Sequence, residues 1–299
     1  MRRPSNWRRW SWHRQRDWPE VTIADALKAA QALGLDRLEA QLLLLHALGK
    51  SHTERGWLLA HDLDELPVST EAVFLALAMR RMANEPLAYL TGQVEFFGLG
   101  LVVDARVLVP RPDTETLVDW ALDVLRPNGR VIDLGTGSGA VALALKHARV
   151  DAHVSAVDFS ADALTVARAN ARALQLDINF SQGSWLDGAI GKFDVIASNP
   201  PYIAAYDAHL LKLTHEPQLA LVSGADGLDD IRNIIAQAPG HLSAGGWLLL
   251  EHGYDQAERV RALLTHAGLQ SVQSRRDLSA VERCCGGRAA LAAKNEPSG

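Results

Sequence analysis

The 299-residue chain has only two cysteines, and they are neighbours, Cys284 and Cys285. Adjacent thiols cannot staple distant parts of a fold, so a disulfide framework is excluded; no spacing of His and Cys suits a metal, and this usage fits a reducing, cytoplasmic setting. Long apolar runs are missing as well. The longest candidates, 42–45 and 247–250, are core-sized pieces that fall far short of a membrane span. There is no excess of positive charge: the net value is −5, which argues against a general nucleic-acid binder. Internal repeats and low-complexity tracts are absent too. What is there is 48% hydrophobic and 22% charged, a balance that excludes a wholly disordered chain and allows a buried core in about two domains.

Charge is unevenly placed. The first 18 residues hold Arg2, Arg3, Arg8, Arg9, Arg14 and Arg16 together with Trp7, Trp10, Trp12 and Trp18, four of the eight tryptophans. Without them the body of the chain carries about −10. An Arg/Trp cluster suits RNA or an anionic membrane surface. With no apolar stretch behind the arginines it is not a signal peptide, and residues 1–20 read as a disordered leader.

From Thr22 the apolar spacing is helical. Ile23, Ala26, Leu27, Ala30 and Leu33 follow the 3.6-residue period, capped by Thr22 and Asp25 and stopped by Gly34. Further helices are expected over 38–48, from Ser51 and Glu54 through Leu59, and over 72–82, making a small bundle over 21–86. His46, His52 and His61 lack paired metal spacing and read as surface or interhelical residues. Val94, Phe96, Leu99, Leu101, Val103, Val107 and Val109 then suggest a β-hairpin connector over 87–112, and Asp113 can cap the next helix.

Beyond it, strands and helices alternate, the mark of an α/β domain (113–295) with a parallel sheet covered on both faces. Strands are expected at 131–134, 154–157, 178–181, 193–198 and 247–250, helices at 161–174 and around 231–242, and an antiparallel pair within 269–292. Between the first strand and its helix lies Asp133-Leu134-Gly135-Thr136-Gly137-Ser138-Gly139. A glycine loop at a sheet's carboxyl edge leaves room for a nucleotide, and Asp158, about twenty residues on at the end of the next strand, is spaced to accept from ribose hydroxyls. Loop and acid together indicate an adenosine cofactor, either a nicotinamide dinucleotide or S-adenosylmethionine.

The strand at 193–198 runs into Asn199-Pro200-Pro201-Tyr202. Two prolines make a rigid turn without N–H donors of their own. The Asn199 side-chain oxygen and the Pro200 carbonyl can each accept one proton of a planar NH2 group, while Tyr202 stacks on its face. Such a nitrogen is a poor nucleophile because its lone pair is delocalised. Two acceptors orient it and favour the positive charge that develops as it attacks a methyl group. Hydride transfer has no use for such a clamp, so S-adenosylmethionine is the expected cofactor.

Together with Pro110-Arg111-Pro112-Asp113-Thr114-Glu115, Glu85-Pro86-Leu87-Ala88-Tyr89-Leu90-Thr91-Gly92 and Glu251-His252-Gly253, these motifs closely resemble the bacterial release-factor glutamine methyltransferases, over about residues 21–292. The resemblance implies a class I methyltransferase fold of about seven strands, preceded by a helical bundle that helps to hold a protein substrate. It implies methyl transfer to the side-chain amide N5 of the glutamine in the Gly-Gly-Gln motif of class-one peptide chain release factors. Gly135, Thr136, Gly137, Ser138 and Gly139 would line the methionine and ribose part of the cofactor, Asp158 its ribose hydroxyls and Trp185 its adenine. Asn199 and Pro200 would clamp the glutamine, Asn199 also adjoining the cofactor, with Pro201 and Tyr202 shaping the pocket. Thr114 and Glu115 are weaker candidates for cofactor contact. The sequence departs from the family at Ser184, commonly an aspartate, and over 283–288, a stretch expected to lie far from the chemistry. The expected enzyme is a cytoplasmic monomer that uses no metal and binds neither membrane nor nucleic acid stably. A ribosomal-protein glutamine methyltransferase and an adenine-N6 nucleic-acid methyltransferase, which would need a basic recognition surface, are the alternatives.

Overall fold

The computed structural model describes residues 21–291, so the Arg/Trp leader lies outside the described part. The chain divides into two compact units, Met1–Thr91 and Gly92–Gly299.

In the first unit, α1 (Ile23–Ala32), α2 (Arg37–Ala47), α3 (Arg55–Ala60), α4 (Val68–Met82) and α5 (Leu87–Thr91) pack around Leu43, Leu44, Leu45, Leu58 and Phe74. Three consecutive leucines are buried because α2 is the central helix, packed against the other four. The caps are the expected ones. Thr22 accepts the Asp25 N–H, and Ser51 and Glu54 form a reciprocal capping box, here on a 3-10 turn ahead of α3. Two boundaries differ from expectation. Helix α4 starts at Val68 rather than Ala72, because Pro67 stands at its N-cap and the polar Ser69-Thr70 run is its first turn. Pro86 opens a helix rather than ending the bundle: Tyr89 and Leu90 donate to its carbonyl, and Leu90 enters the bundle core. The division therefore falls after Thr91, five residues later than expected.

The second unit opens with an antiparallel hairpin, β1 (Gln93–Phe96) and β2 (Leu99–Val102), whose turn residues Phe97 and Gly98 both have positive φ. Val107 and Val109 are buried in irregular chain rather than in a strand. A 3-10 turn over Pro112–Thr114 precedes α6 (Glu115–Val124), so Asp113 lies inside the turn instead of capping the helix. There follow β3 (Arg130–Leu134), α7 (Ala140–Ala148), β4 (His153–Asp158), α8 (Ala161–Leu174), β5 (Asn179–Gln182), β6 (Phe193–Ser198), α9 (Asp229–Gln237), β7 (Leu242–Glu251), α10 (Ala257–His266), β8 (Gln270–Arg276) and β9 (Glu282–Arg288). These last seven strands form one sheet in the order β5-β4-β3-β6-β7-β9-β8, parallel except for β9, which runs antiparallel to both neighbours. This is the class I methyltransferase architecture.

Apolar layers cover both faces. One contains Trp120, Leu143 and Val131, the other Ile231, Val260 and Ile132. The period-two alternation of a strand sends Val131 and Ile132 to opposite faces, and it separates Cys284 from Cys285 in the same way. Helix α10 was not among the expected elements, and β7 begins at Leu242, five residues ahead of the expected start at Trp247.

Candidate active site

Strand order reverses between β3 and β6: β4 and β5 lie to one side, β7 to the other. A crevice outside the carboxyl ends of the strands at such a switch point is where α/β sheets bind ligands. The glycine loop leaves β3 and the Asn-Pro-Pro-Tyr turn leaves β6, so the two motifs flank this point. Ser198 Oγ donates to the Leu134 carbonyl at 2.7 Å and ties the two strand ends together.

The loop is stiffened from below. Gly135, Gly137 and Gly139 have φ of 69°, 56° and 87°, a region that side chains resist. Thr136 Oγ1 donates to Asp133 Oδ2 at 2.6 Å, and the Ala142 N–H donates to the same oxygen at 3.3 Å. Burial pushes the Asp133 carboxyl up to about 7 against those two hydrogen bonds. Asp158 accepts from the Gly137 N–H at 2.8 Å and from the Ser160 N–H at 2.9 Å; its pKa is raised, chiefly by burial. Each oxygen keeps a further lone pair for a hydroxyl. A side-chain carbon at Gly137 would meet nothing within 4 Å, whereas one at Gly135 would stand 3.2 Å from the Trp185 ring. Trp185 is half-buried with φ of 52°, a strained value for so bulky a residue, and its indole lies against the loop. An open backbone edge, a carboxylate and an aromatic ring thus stand together and fit an adenosine-bearing cofactor. Ser184, beside Trp185, is exposed.

The turn is held from several distant places. Asn199 Nδ2 donates to Thr114 Oγ1 at 3.1 Å. The Tyr202 carbonyl accepts from Gln256 Nε2 at 2.9 Å, and Gln256 Oε1 accepts the Gly253 N–H at 2.9 Å. Gly227 leaves room for that carbonyl, since a side-chain carbon there would come within 2.3 Å of it. The Tyr202 hydroxyl donates to Glu251 Oε1 at 3.4 Å. Neither Asn199 Oδ1 nor the Pro200 carbonyl takes a hydrogen bond from another described residue. Two acceptors on consecutive residues remain open, which is what a planar NH2 group needs.

Glu251 ends β7 and is 1% exposed, with Oε2 lacking any hydrogen-bond partner among the described residues. Burial pushes it up to about 7; the Thr114 hydroxyl, Arg283 and Tyr202 oppose that shift and Asp113 adds to it. Burial likewise raises the Tyr202 hydroxyl, which stays protonated.

Comparison with known proteins fits this geometry. Residues 113–263 match the family model described as Methyltransferase small domain, and residues 22–92 match PrmC N-terminal domain. A release factor glutamine methyltransferase of Bordetella pertussis is 49% identical over 260 residues, covering 85% of this chain and 95% of that protein. The protein of the same name from Burkholderia pseudomallei is 47% identical, covering 90% and 96%. The chain belongs to the release factor glutamine methyltransferase family. A methyltransferase structure from Pyrococcus furiosus, with 19% identity and a TM-score of 0.53, covers 71% of this chain and 98% of that one and shares the fold.

Against this family background, the structure brings Gly135 to Gly139, Asp158 and Trp185 to one side of the switch point and Asn199 to Tyr202 to the other. Thr114 accepts from Asn199 Nδ2, and Glu115 Oε1 takes the Phe97 N–H at 2.9 Å in the hairpin turn. One expectation needs correction. The stretch 283–288 is not remote: Glu251 pairs with Cys284 across β7 and β9, and Arg283 lies 3.2 Å from Asp113 and acts on both Glu251 and Tyr202. The two thiols are buried and free, with pKa values raised by desolvation, so they are inert rather than reactive. Sequence reasoning missed Gln256 and Gly227 altogether and read Glu251 only as part of a motif. A glutamine near a helix start carries no local signal of a partner 54 residues away.

Proposed function

We propose that this enzyme transfers a methyl group from S-adenosylmethionine to the side-chain amide nitrogen of the glutamine in the Gly-Gly-Gln motif of class-one release factors. The observation that carries the reading is the pair of open acceptors, Asn199 Oδ1 and the Pro200 carbonyl, on the turn that follows β6, the strand beside the one that leads into the glycine loop. When bound, S-adenosylmethionine supplies an electrophilic methyl on its sulfonium. The residues of the chain do the rest. Asn199 Oδ1 and Pro200 O each accept one N–H of the substrate amide, turning the nitrogen toward the methyl and stabilising the charge that grows on it. Pro201 and Tyr202 wall the pocket, the tyrosine covering the flat face of the amide. Asp158 takes the ribose hydroxyls, the backbone of Gly135 to Gly139 lies along the cofactor, and Trp185 meets the adenine. As the new C–N bond forms, the methyl–sulfur bond of the sulfonium would break to leave a neutral thioether, and the extra proton of the amide would pass to water, so no strong base is required beforehand. The bundle over 22–92 helps to hold the release factor, and the enzyme works as a cytoplasmic monomer.

The test is methyl transfer from labelled S-adenosylmethionine to purified release factor, with the Gly-Gly-Gln glutamine changed to alanine as control. Label on the wild-type factor alone is expected. Label on neither, with cofactor binding intact, would overturn the assignment and direct the search to ribosomal proteins and nucleic acids.

A further inference from the structure

Beyond Tyr202 the chain makes an excursion that leaves and rejoins the domain at one place. The Ile203 N–H donates to the Leu221 carbonyl at 2.9 Å, and the Ser223 N–H donates to the Ile203 carbonyl at 3.0 Å. Apolar burial does not hold what lies between. Tyr206, Leu211 and Leu219 are exposed, and among the described residues 203–220 Glu216 alone is buried. A carboxylate is costly to bury unless its oxygens are hydrogen-bonded and its charge is paired. Glu216 meets both conditions: Oε2 accepts the Val109 N–H at 3.1 Å, and Oε1 takes Arg111 Nη2 in an ion pair.

Both contacts fall on the segment that carries Thr114. The Arg111 carbonyl accepts the Thr114 N–H at 3.0 Å, and Thr114 Oγ1 accepts Asn199 Nδ2 at 3.1 Å. A closed circuit results. It runs from Asn199 along the chain to Glu216, across to Val109 and Arg111, through the turn to Thr114 and back to Asn199. Pro110 and Pro112 bring no N–H donors of their own, so this segment has few other means of holding itself in place.

We propose that Glu216 is a positioning residue that closes this circuit and thereby holds Thr114 against the Asn199 amide for methyl transfer. This rests on the methyl-transfer reading above. A carboxylate suits the place because two donors converge on it; glutamine has a single acceptor oxygen, and its NH2 would stand against the second donor. Without Glu216, the Val109 N–H loses its acceptor and Arg111 its counter-charge. The turn can then carry Thr114 away from Asn199, and the clamp no longer meets the substrate amide at the angle the reaction needs.

The experiment measures methylation of release factor by the full-length enzyme at a temperature where each variant is folded, with S-adenosylmethionine affinity followed by calorimetry. Glu216→Ala should lower kcat at least about tenfold and leave cofactor affinity within about twofold of wild type, because the glycine loop lies outside the circuit. Glu216→Gln, which keeps one acceptor, should fall between the two, and it carries the same comparison if Glu216→Ala does not fold. Arg111→Lys, which keeps the charge, should recover most of the rate that Arg111→Ala loses. The decisive variant is the double one. Once Thr114→Val has removed the link to Asn199, adding Glu216→Ala should cost less than about a further threefold in kcat. A kcat for Glu216→Ala within about twofold of wild type would overturn the proposal, as would a full tenfold loss on top of Thr114→Val, which would make Glu216 a general brace of the fold. Failure of the wild-type enzyme to label the release factor would instead overturn the functional reading on which the proposal rests.

Discussion

On one side of the switch point, the glycine loop is held mostly by groups nearer to it in the chain: Asp133 lies three residues from Thr136, Asp158 lies 21 from Gly137 and Asn170 lies 32 from Ser138, with only Ser198 reaching its base from farther away. On the other side, the Asn-Pro-Pro-Tyr turn is held by Thr114, Gln256 and Glu251, which lie 85, 54 and 49 residues from their partners. The loop is an outgrowth of one strand–loop–helix unit and the strand beside it. The turn is set only when α6, β7, α10 and the segment around Gly227 have all assembled around it. Its geometry therefore reports on the whole second unit, whereas that of the loop reports on a local motif.

If the two sides are separable in this way, variants on each should move different quantities. The largest effect is expected at Asn199→Ala, which removes one open acceptor: kcat should drop on the order of 100- to 1,000-fold, by analogy with the loss of one transition-state hydrogen bond, while cofactor affinity changes much less. Asp158→Ala should do the reverse. Loss of a charge-assisted acceptor should weaken S-adenosylmethionine binding by about 10- to 100-fold, with kcat at saturating cofactor changed only a few-fold. Should both variants damage the same parameter, the two sides are not independent.

Gly227→Ala sharpens the comparison, because Gly227 stands against the Tyr202 carbonyl and against Gln256, which braces that carbonyl. Its side-chain carbon would have to stand 2.3 Å from the Tyr202 carbonyl at a φ of 75°. The turn must shift, at a cost of about 1–3 kcal/mol in stability, and kcat should fall with cofactor affinity retained. Chemical denaturation and calorimetry measure the two effects.

The smallest effect belongs to pH. Asp133 under the loop and Glu251 under the turn both have folded pKa values of about 7, raised from 3.8 and 4.5 by burial. A group whose folded value is raised contributes stability below its unfolded pKa and loses it as pH rises through the folded one. Thermal stability should therefore decline as pH rises from about 4 to about 7, and Glu251→Gln should remove part of that slope. A slope unchanged in that variant would mean that Glu251 titrates in the ordinary carboxylate range.

Much of this protein is legible without its structure. Apolar periodicity, capping residues and glycine stops specify α1, α2 and the strands at 131–134 and 193–198 within a few residues, since those signals act between near neighbours in the chain. Chemistry is legible for the same reason: Asn199-Pro200-Pro201-Tyr202 and Gly135 to Gly139 are contiguous, and their function follows from side-chain type and backbone freedom. Where local signals conflict with packing, sequence reasoning fails. Pro86 reads as a stop but opens α5, and the strand expected at 247–250 begins at Leu242.

By itself, then, the sequence determined which groups are the candidates to meet the substrate and the cofactor, because the Asn-Pro-Pro-Tyr turn and the glycine loop each lie on one short segment. Only the tertiary structure decided how those groups are aimed. Thr114 reaches Asn199, Gln256 braces Tyr202, and Arg283 comes to Glu251 through sheet pairing and helix packing that bring together residues far apart in the chain. Hydrogen bonds between distant side chains leave no pattern along a sequence, so the orientation of the clamp becomes visible only once the fold has closed around it.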